Sequence, residues 1–435
     1  MNKIVIIGAG HGGMQAAKVL AAGGNDVTVY EKSTIDKLSR DRWDTIESAV
    51  FPDLNIPLPE GSFKDNACAF TGPFSKKALV LDLPPEKRDW TVDRRIFAPQ
   101  LVKAAEEKGA KFIFETEVEK LIFDNTSVKG IVVNGEEIKA DLVIDASGVY
   151  SPFRASLPSR FGIDKQPDDD DVFFTWDAFF ECAEGVELPE NYNFLMHLKY
   201  MGEKCISWCV PEFEDKFAAF IGKAGGMTKE EFDRLYAQLR EDYPWLGTKM
   251  LCGGDFANIP IRYPLSKLFA PGYVAVGDSA FMPIPLLGCG VGNSLRAGQM
   301  LGDAIVKADS VSVDALWDYQ VMYYKKIGAV SCLIDWIKRA VLVCDTDELK
   351  LLFESDIITN EELSGILNGK ISLVSAGELV ARLKKAYKVK GLFGDLLSAA
   401  VKGVSAMAVG LSIPKKYDPL KAAQWKAKLE KAMEK

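Results

Sequence analysis

The chain has 435 residues, 48% hydrophobic and 26% charged, which fits a globular protein of two or three domains and excludes a disordered, collagenous or coiled-coil chain. The net charge of −8 disfavours a nucleic-acid partner. Eight cysteines without a Cys-x-x-Cys pair, and only two histidines, give no basis for a disulfide scaffold, a structural zinc or an iron–sulfur cluster. No charge-free apolar run reaches ~20 residues, and the N-terminal apolar run is too short for a secretory leader, so a cytoplasmic location is expected.

Residues 3–8 (KIVIIG) read as a strand buried on both faces of a parallel sheet. Met14 to Ala22 reads as a helix stopped by Gly23 and Gly24, and Asp26 to Tyr30 as a second strand ending at Glu31. Val92 to Gly109 predicts another helix, and Lys111 to Phe123 supplies strand material. Gly130 to Ile138, with Asn134-Gly135 at its centre, predicts a hairpin. Asp141 to Asp145 is a buried strand closed by Ala146-Ser147-Gly148. The acidic run Asp168–Asp171 reads as a solvated loop. Residues 172–222 alternate aromatic and polar positions, the pattern of a half-exposed antiparallel sheet, with Cys205 and Cys209 on one face as core thiols. Tyr273 to Val276 is a further strand, followed by a glycine-rich loop and a helix from about Gly292 to Ala308; from Val313 onward the pattern is mostly helical.

Gly8, Gly10 and Gly13 form G-x-G-x-x-G between a strand and a helix, with an acid, Glu31, at the end of the next strand. Gly8 allows the tight turn, Gly10 lets backbone N–H groups approach a pyrophosphate, and Gly13 lets the helix pack on the strand. Glu31 would accept hydrogen bonds from ribose hydroxyls and repel a 2′-phosphate, which disfavours NADP at this site. His11, inside the loop, is expected to point outward.

Three further segments carry a resemblance. Asp145-Ala146-Ser147-Gly148 with Ser151 and Arg154 looks like the D-x-x-G…S…R motif of para-hydroxybenzoate-hydroxylase-like flavoproteins. Gly277-Asp278-Ser279-Ala280 looks like their G-D motif, whose Asp holds the ribityl chain of FAD. Val92-Asp93-Arg94 with Phe97 and Leu101 resembles the helix whose Arg reaches FAD. The resemblance implies FAD as cofactor, held by Gly8, Ala9, Gly10, Gly13, Glu31, Lys32, Arg94, Val118, Gly148, Asp278, Gly288, Gly290 and Val291. It implies an α/β fold: a Rossmann-like FAD-binding domain, an inserted antiparallel-sheet substrate domain and a helical C-terminal region. The expected division is 1–60, 90–155 and 255–310 for FAD, 61–89 and 156–254 for substrate, and 311–435 for the helical region.

Within that superfamily the run from Pro285 to Val291 is similar to the P-x-T-G-x-G-I loop of geranylgeranyl reductases. Trp208-Cys209-Val210-Pro211 matches the second half of their Y-x-W-x-F-P motif, with Ile206 in place of Tyr and Val210 in place of Phe. Their Cys-Gly-Gly element after the second strand is replaced by Ser39-Arg40-Asp41-Arg42-Trp43. The activity implied is reduction or dehydrogenation of a carbon–carbon double bond in a hydrophobic substrate, by hydride transfer at flavin N5. No second dinucleotide motif appears, so electrons are expected from transiently bound NAD(P)H or a redox protein. Candidates near the chemistry are His197, Trp208, Arg42 and Trp43.

Two other readings stay open. One is a flavin monooxygenase or halogenase acting on an aromatic substrate; halogenases carry W-x-W-x-I-P and need a lysine near the flavin, for which Lys64, Lys76 and Lys77 are the candidates. The other is a flavoprotein that only carries electrons. The last 60 residues hold 13 Lys and Arg against 5 Asp and Glu. They include the nearly uncharged stretch Leu396 to Pro414, flanked by Lys384, Lys385, Lys388 and Lys390 before and Lys415 and Lys416 after. This fits either peripheral membrane contact or two short helices packed on the FAD domain with solvated lysines.

Overall fold

The structure, a computed structural model, describes residues 1–38, 40–65, 68–73, 75, 77–81, 84–186, 194–213, 216–354 and 392–434. The chain opens β1 (Lys3–Ile7), α1 (His11–Ala22), β2 (Asp26–Tyr30), β3 (Trp43–Ile46), α2 (Val50–Asp53), β4 (Phe63–Lys64), β5 (Cys68–Thr71), β6 (Ala78–Leu81), β7 (Trp90–Asp93) and α3 (Arg94–Glu106). It continues with β8 (Lys111–Ile113), β9 (Val118–Phe123), β10 (Val128–Val133), β11 (Glu136–Lys139), β12 (Leu142–Asp145) and α4 (Pro152–Ser156). Next come β13 (Val172–Cys182), β14 (Phe194–Leu198), β15 (Cys205–Phe213), β16 (Lys216–Ala224), α5 (Lys229–Asp242), β17 (Leu246–Pro260), β18 (Phe269–Ala270) and β19 (Tyr273–Ala275). The remaining helices are α6 (Val291–Ala308), α7 (Val313–Tyr323), α8 (Ala329–Val343), α9 (Thr346–Glu354), α10 (Leu392–Leu411) and α11 (Pro419–Met433).

A six-stranded sheet has the order β18-β19-β12-β1-β2-β8. β1 lies between β12 and β2, parallel to both, with Ile6 opposite Ile144 and Val29. Burial on both faces explains its unbroken Ile-Val-Ile-Ile run. α1 starts at His11 rather than Met14, because Gly10 caps it in an extended conformation and Gly12 and Gly13 form its first turn. There the backbone of α6 comes close: a Cβ on Gly298 would lie 2.2 Å from the Gly12 carbonyl oxygen. α3 likewise starts at Arg94, since Val92 and Asp93 pair with Asp44 and Trp43 in β7, and the Asp93 carboxylate caps the helix by accepting from Arg95 N.

Lys111 to Phe123 divides between two sheets, with a break at Glu115, whose φ is 53°. The β10–β11 hairpin turns through Asn134 and Gly135, both at positive φ, as a type I′ turn requires.

The second large sheet has the order β17-β13-β16-β15-β14-β5-β6. Its strand β13, between β17 and β16, is buried on both faces rather than half-exposed. α5 covers one face, where Trp176, Phe180, Cys205, Cys209, Phe217, Leu235 and Leu239 form one core. The opposite face meets β3, with Trp43 edge-on to Phe179 at 5.2 Å. Burial pushes the Cys205 thiol up to about 12, as suits a core cysteine. β17 continues to Pro260, so the sheet reaches past residue 254.

The acidic run is not a wholly solvated loop. Asp170 pairs with Lys204 at 2.9 Å, while Asp171 is buried and pairs with Lys338, itself also paired with Asp335.

The apolar C-terminal stretch is one helix, α10, not two. Gly403 and Gly410 do not break it: a Cβ at either would lie 2.5 Å from Leu333 Cδ1 or 3.0 Å from Ala329 Cβ, so both glycines let α10 lie against α8. Lys384, Lys385, Lys388 and Lys390 fall outside the described residues. Among the described residues no helix is long and apolar enough to cross a membrane.

Candidate functional site

The glycine loop sits where β1 and β12 end side by side, Ile7 opposite Asp145. Gly8 has φ +86°, and a Cβ there would lie 2.8 Å from the Ala146 carbonyl oxygen. At Gly10 the same oxygen would be 3.0 Å away, and at Gly13 a Cβ would press on Ala146 Cβ and Gly8 O, both at 2.9 Å. The turn therefore packs flat on the Ala146 segment. No side chain caps α1, so its first N–H groups keep their donor capacity. Glu31 stands at the rim: its Oε2 accepts from Ala9 N and its Oε1 from Ser33 N, each at 2.8 Å. Lys32 beside it is exposed. Thr116 N donates to the Glu31 carbonyl, which brings the start of β9, with buried Val118, next to this rim.

Asp145 is fully buried and accepts from Ser147 Oγ at 2.6 Å, Ser151 Oγ at 2.5 Å and Tyr273 OH at 2.6 Å. Arg154, also fully buried, donates to the carbonyls of Val149, Lys165 and Ser279 and stacks over Phe281. These two residues tie the Ala146–Gly148 turn to the turn Gly277–Ala280. Gly148 keeps φ at +101° there. Tyr273 is part of this tie, though no motif marked it.

Asp278 occupies the Gly277–Ala280 turn. Burial pushes its carboxyl up to about 6, against the pull of Arg40 and Arg94. The loop Pro285–Gly290 is closed by Ile284 N donating to Cys289 O and Gly288 N to Ile284 O. Gly288 has φ +75°, and a Cβ on Gly290 would meet Pro283 at 2.8 Å. Gly290 is the N-cap of α6, again without a capping side chain, so Val291 opens a second helix with unspent donors.

Between these turns and the second sheet lies a network of charges. Arg42 bonds Asp44 at 3.1 Å and Asp177 at 2.8 Å; Arg40 reaches the same Asp177 oxygen at 3.1 Å; Arg94 reaches Asp44 at 3.3 Å. Burial works to raise Asp44, but Arg42 and Arg94 hold its carboxyl below the usual range. His11 does not point outward. Its ring stacks on Phe97 with centroids 5.9 Å apart, and its Nε2 is buried without a hydrogen-bond partner. Burial first, then the Arg94 charge, push His11 down to about 3.

Trp208 stacks face to face on Phe220 at 3.8 Å and packs with Phe179, Val210 and Trp43 on the sheet face that carries Asp177. Arg95 lies over the Trp43 ring. Arg42, Trp43 and Trp208 are thus gathered at one junction, and His197 is not. His197 stands opposite Ser207 on the α5 side of the sheet and hydrogen-bonds Tyr243 OH; burial lowers its pKa. Lys64 donates to Ser48 Oγ and Arg88 O and lies over Trp90, Lys77 reaches Glu354 O, and Lys76 is outside the described residues. Asp177 was missed in the sequence, although a carboxylate inside the aromatic run VFFTWDAFFEC is a visible signal.

The cradle fits FAD on its own geometry. Three glycines form a turn that leaves no room for a Cβ against the Ala146 segment, two helices begin at uncapped glycines, Gly10 and Gly290, and the Glu31 carboxylate stands at the rim, held by Ala9 N and Ser33 N. Comparison with known proteins agrees. The family model described as FAD dependent oxidoreductase matches residues 86–167. The digeranylgeranylglycerophospholipid reductase of Sulfolobus acidocaldarius is 25% identical over 378 residues, covering 83% of this chain and 82% of that one. Its namesake in Methanothrix thermoacetophila is 26% identical over 400 residues, covering 85% and 96%. Among solved structures, a geranylgeranyl bacteriochlorophyll reductase-like protein of Thermoplasma acidophilum superposes with a TM-score of 0.72 at 16% identity, covering 92% of this chain and 99% of that one. A flavin-dependent brominase superposes with a TM-score of 0.61 at 18% identity, covering 89% and 99%.

Fold and site together define an FAD-dependent oxidoreductase. Within that class the chain resembles the geranylgeranyl reductase branch of the para-hydroxybenzoate-hydroxylase-like flavoproteins.

Proposed function

We propose that this oxidoreductase reduces a carbon–carbon double bond of a hydrophobic substrate. The observation that carries the reading is the apolar cluster of Trp208, Phe179, Val210 and Trp43, which shares its sheet face with Asp177 and its Arg40 and Arg42 partners, while the other face of the sheet is packed against α5. Such a cluster excludes water and orients an alkene better than it binds a polar substrate. When bound, the flavin supplies the hydride at N5.

The chain's own groups would then act as follows. Gly8, Ala9, Gly10 and Gly13 hold the pyrophosphate against α1, with Glu31 and Lys32 at the adenosine ribose and Val118 beside them. Arg94, Gly148 and Asp278 hold the polar chain. The Gly288–Val291 turn places the N–H groups of α6 where they stabilise negative charge. Residues 1–60, 90–155 and 255–310 would carry the cofactor, apart from 255–260, which complete β17, and 61–89 with 156–254 the substrate. Electrons would come from transiently bound NAD(P)H or a redox protein.

Turnover under labelled oxygen separates this from oxygenation. The expected product contains no label; label in the product would favour a monooxygenase and overturn the reading.

We also propose peripheral contact between the C-terminal region and an anionic membrane. In support, α10 exposes Val401 (62%), Val404 (52%) and Leu411 (45%) beside Lys402, Lys415 and Lys416. The protein should co-sediment with anionic vesicles at low salt, and Val401→Asp/Val404→Asp should abolish this. Equal pelleting of both proteins would remove the proposal.

A further inference from the structure

We infer that the protein has a second ligand site, a cavity between α8 and α10 that takes the phosphate head and first carbons of one anionic lipid. The cavity holds about 370 Å³, within the range of small-molecule sites, and shares no residue with the cofactor cradle. Its lining has two parts. Trp336, Leu342, Val343 and Ala399 give an apolar side. Leu342 is backed there by the packed cluster of Phe173, Ile206 and Ile261, and Val343, 70% exposed, carries the apolar side out to the surface. Lys204, Arg339 and Lys402 give a cationic side.

The charges around the cavity do not cancel. Lys204 pairs with Asp170, Lys338 with Asp171 and Asp335, and Arg339 with Asp335. Four cations, Lys402 included, thus stand against three carboxylates. Lys402 carries the excess, since it has no carboxylate partner among the described residues. Its ammonium is nevertheless held in place, 4.7 Å from the centre of the Trp336 ring, which also carries the Arg339 guanidinium at 4.8 Å. A cation fixed before the ligand arrives loses less entropy on binding. A phosphate monoester suits it, with nearly two negative charges and three acceptor oxygens. A bare anion would leave the apolar side wet, and a neutral amphiphile would leave Lys402 unpaired; an anionic head on an apolar tail satisfies both. The inference is independent of the FAD reading. It also differs from the membrane contact proposed above, which needs only an exposed surface, whereas a built cavity binds a lipid as a monomer in solution.

The test is calorimetric titration of the full-length protein with dihexanoyl phosphatidic acid below its micellar concentration. Dihexanoyl phosphatidylcholine and inorganic phosphate are titrated in parallel, and thermal melting checks folding. Saturable binding of one phosphatidic acid per chain is expected, with phosphatidylcholine and inorganic phosphate at least about tenfold weaker. Lys402→Glu should weaken phosphatidic acid at least about tenfold, whereas Lys415→Glu, the same charge change outside the cavity, should stay within about twofold. Ser398→Trp fills the cavity from an exposed lining position and should weaken binding likewise, which covers the case of a Lys402→Glu protein that does not fold. Absence of saturable binding, or inorganic phosphate bound as tightly as the lipid, would overturn the inference. So would unchanged binding by the folded cavity variants, or an equal loss in the two lysine variants, which would reduce the effect to diffuse surface charge.

Discussion

Gly10→Leu is expected to give a folded protein that does not retain FAD. Gly10 has φ −65°, so the backbone accepts a side chain without strain. The obstacle is space: the new Cβ would lie 3.0 Å from Ala146 O, and a bulky side chain at this glycine takes the room in which backbone N–H groups approach a pyrophosphate. The loss of the pyrophosphate contacts should weaken FAD at least about a thousandfold, roughly 4 kcal/mol. The ratio of flavin to protein absorbance after purification reads this directly, with a melting curve close to wild type. A yellow Gly10→Leu protein at full flavin occupancy would contradict the cradle. Gly8→Leu should behave differently and lose stability as well, since Gly8 sits at φ +86°.

Arg154→Ala should lower the unfolding free energy by about 3–5 kcal/mol. The side chain is fully buried, and its donors satisfy three carbonyls from separate segments, at Val149, Lys165 and Ser279. Its removal leaves those oxygens without their donor and opens a cavity over Phe281. Arg154→Lys should not rescue, because an ammonium cannot reach three carbonyls with the planar guanidinium fork. The urea midpoint measures the effect; a shift worth under ~1 kcal/mol would mean that the Asp145–Arg154 tie is incidental.

The contrast between the two halves of the site shows what the sequence makes legible. The β1–α1–β2 unit, the Asn134-Gly135 hairpin and the helix at Val291 are local: apolar runs, glycine spacing and turn residues specify them within a few dozen positions. The charged junction is not local. Asp177 meets Arg40 and Arg42 only because β13 is laid across the end of the cofactor half, and no spacing rule encodes that meeting. His11 illustrates the same gap. Its place in the glycine loop is plain in the sequence, but its inward turn depends on Phe97 of another helix. The stretch Leu396 to Pro414 can be read as two short helices until α8 is placed beside it; in contact Gly403 and Gly410 are what permits the close approach of one continuous helix.

The most direct measurement is an anaerobic single turnover. The FAD-loaded protein is reduced with dithionite, freed of excess reductant, and mixed with a polyprenyl alkene while flavin absorbance is followed. The account predicts reoxidation of the flavin that depends on alkene concentration, with a product two hydrogens heavier per flavin consumed. Flavin that stays reduced in the presence of alkenes, and reoxidises only when oxygen is admitted with oxygen entering an aromatic substrate, would contradict it.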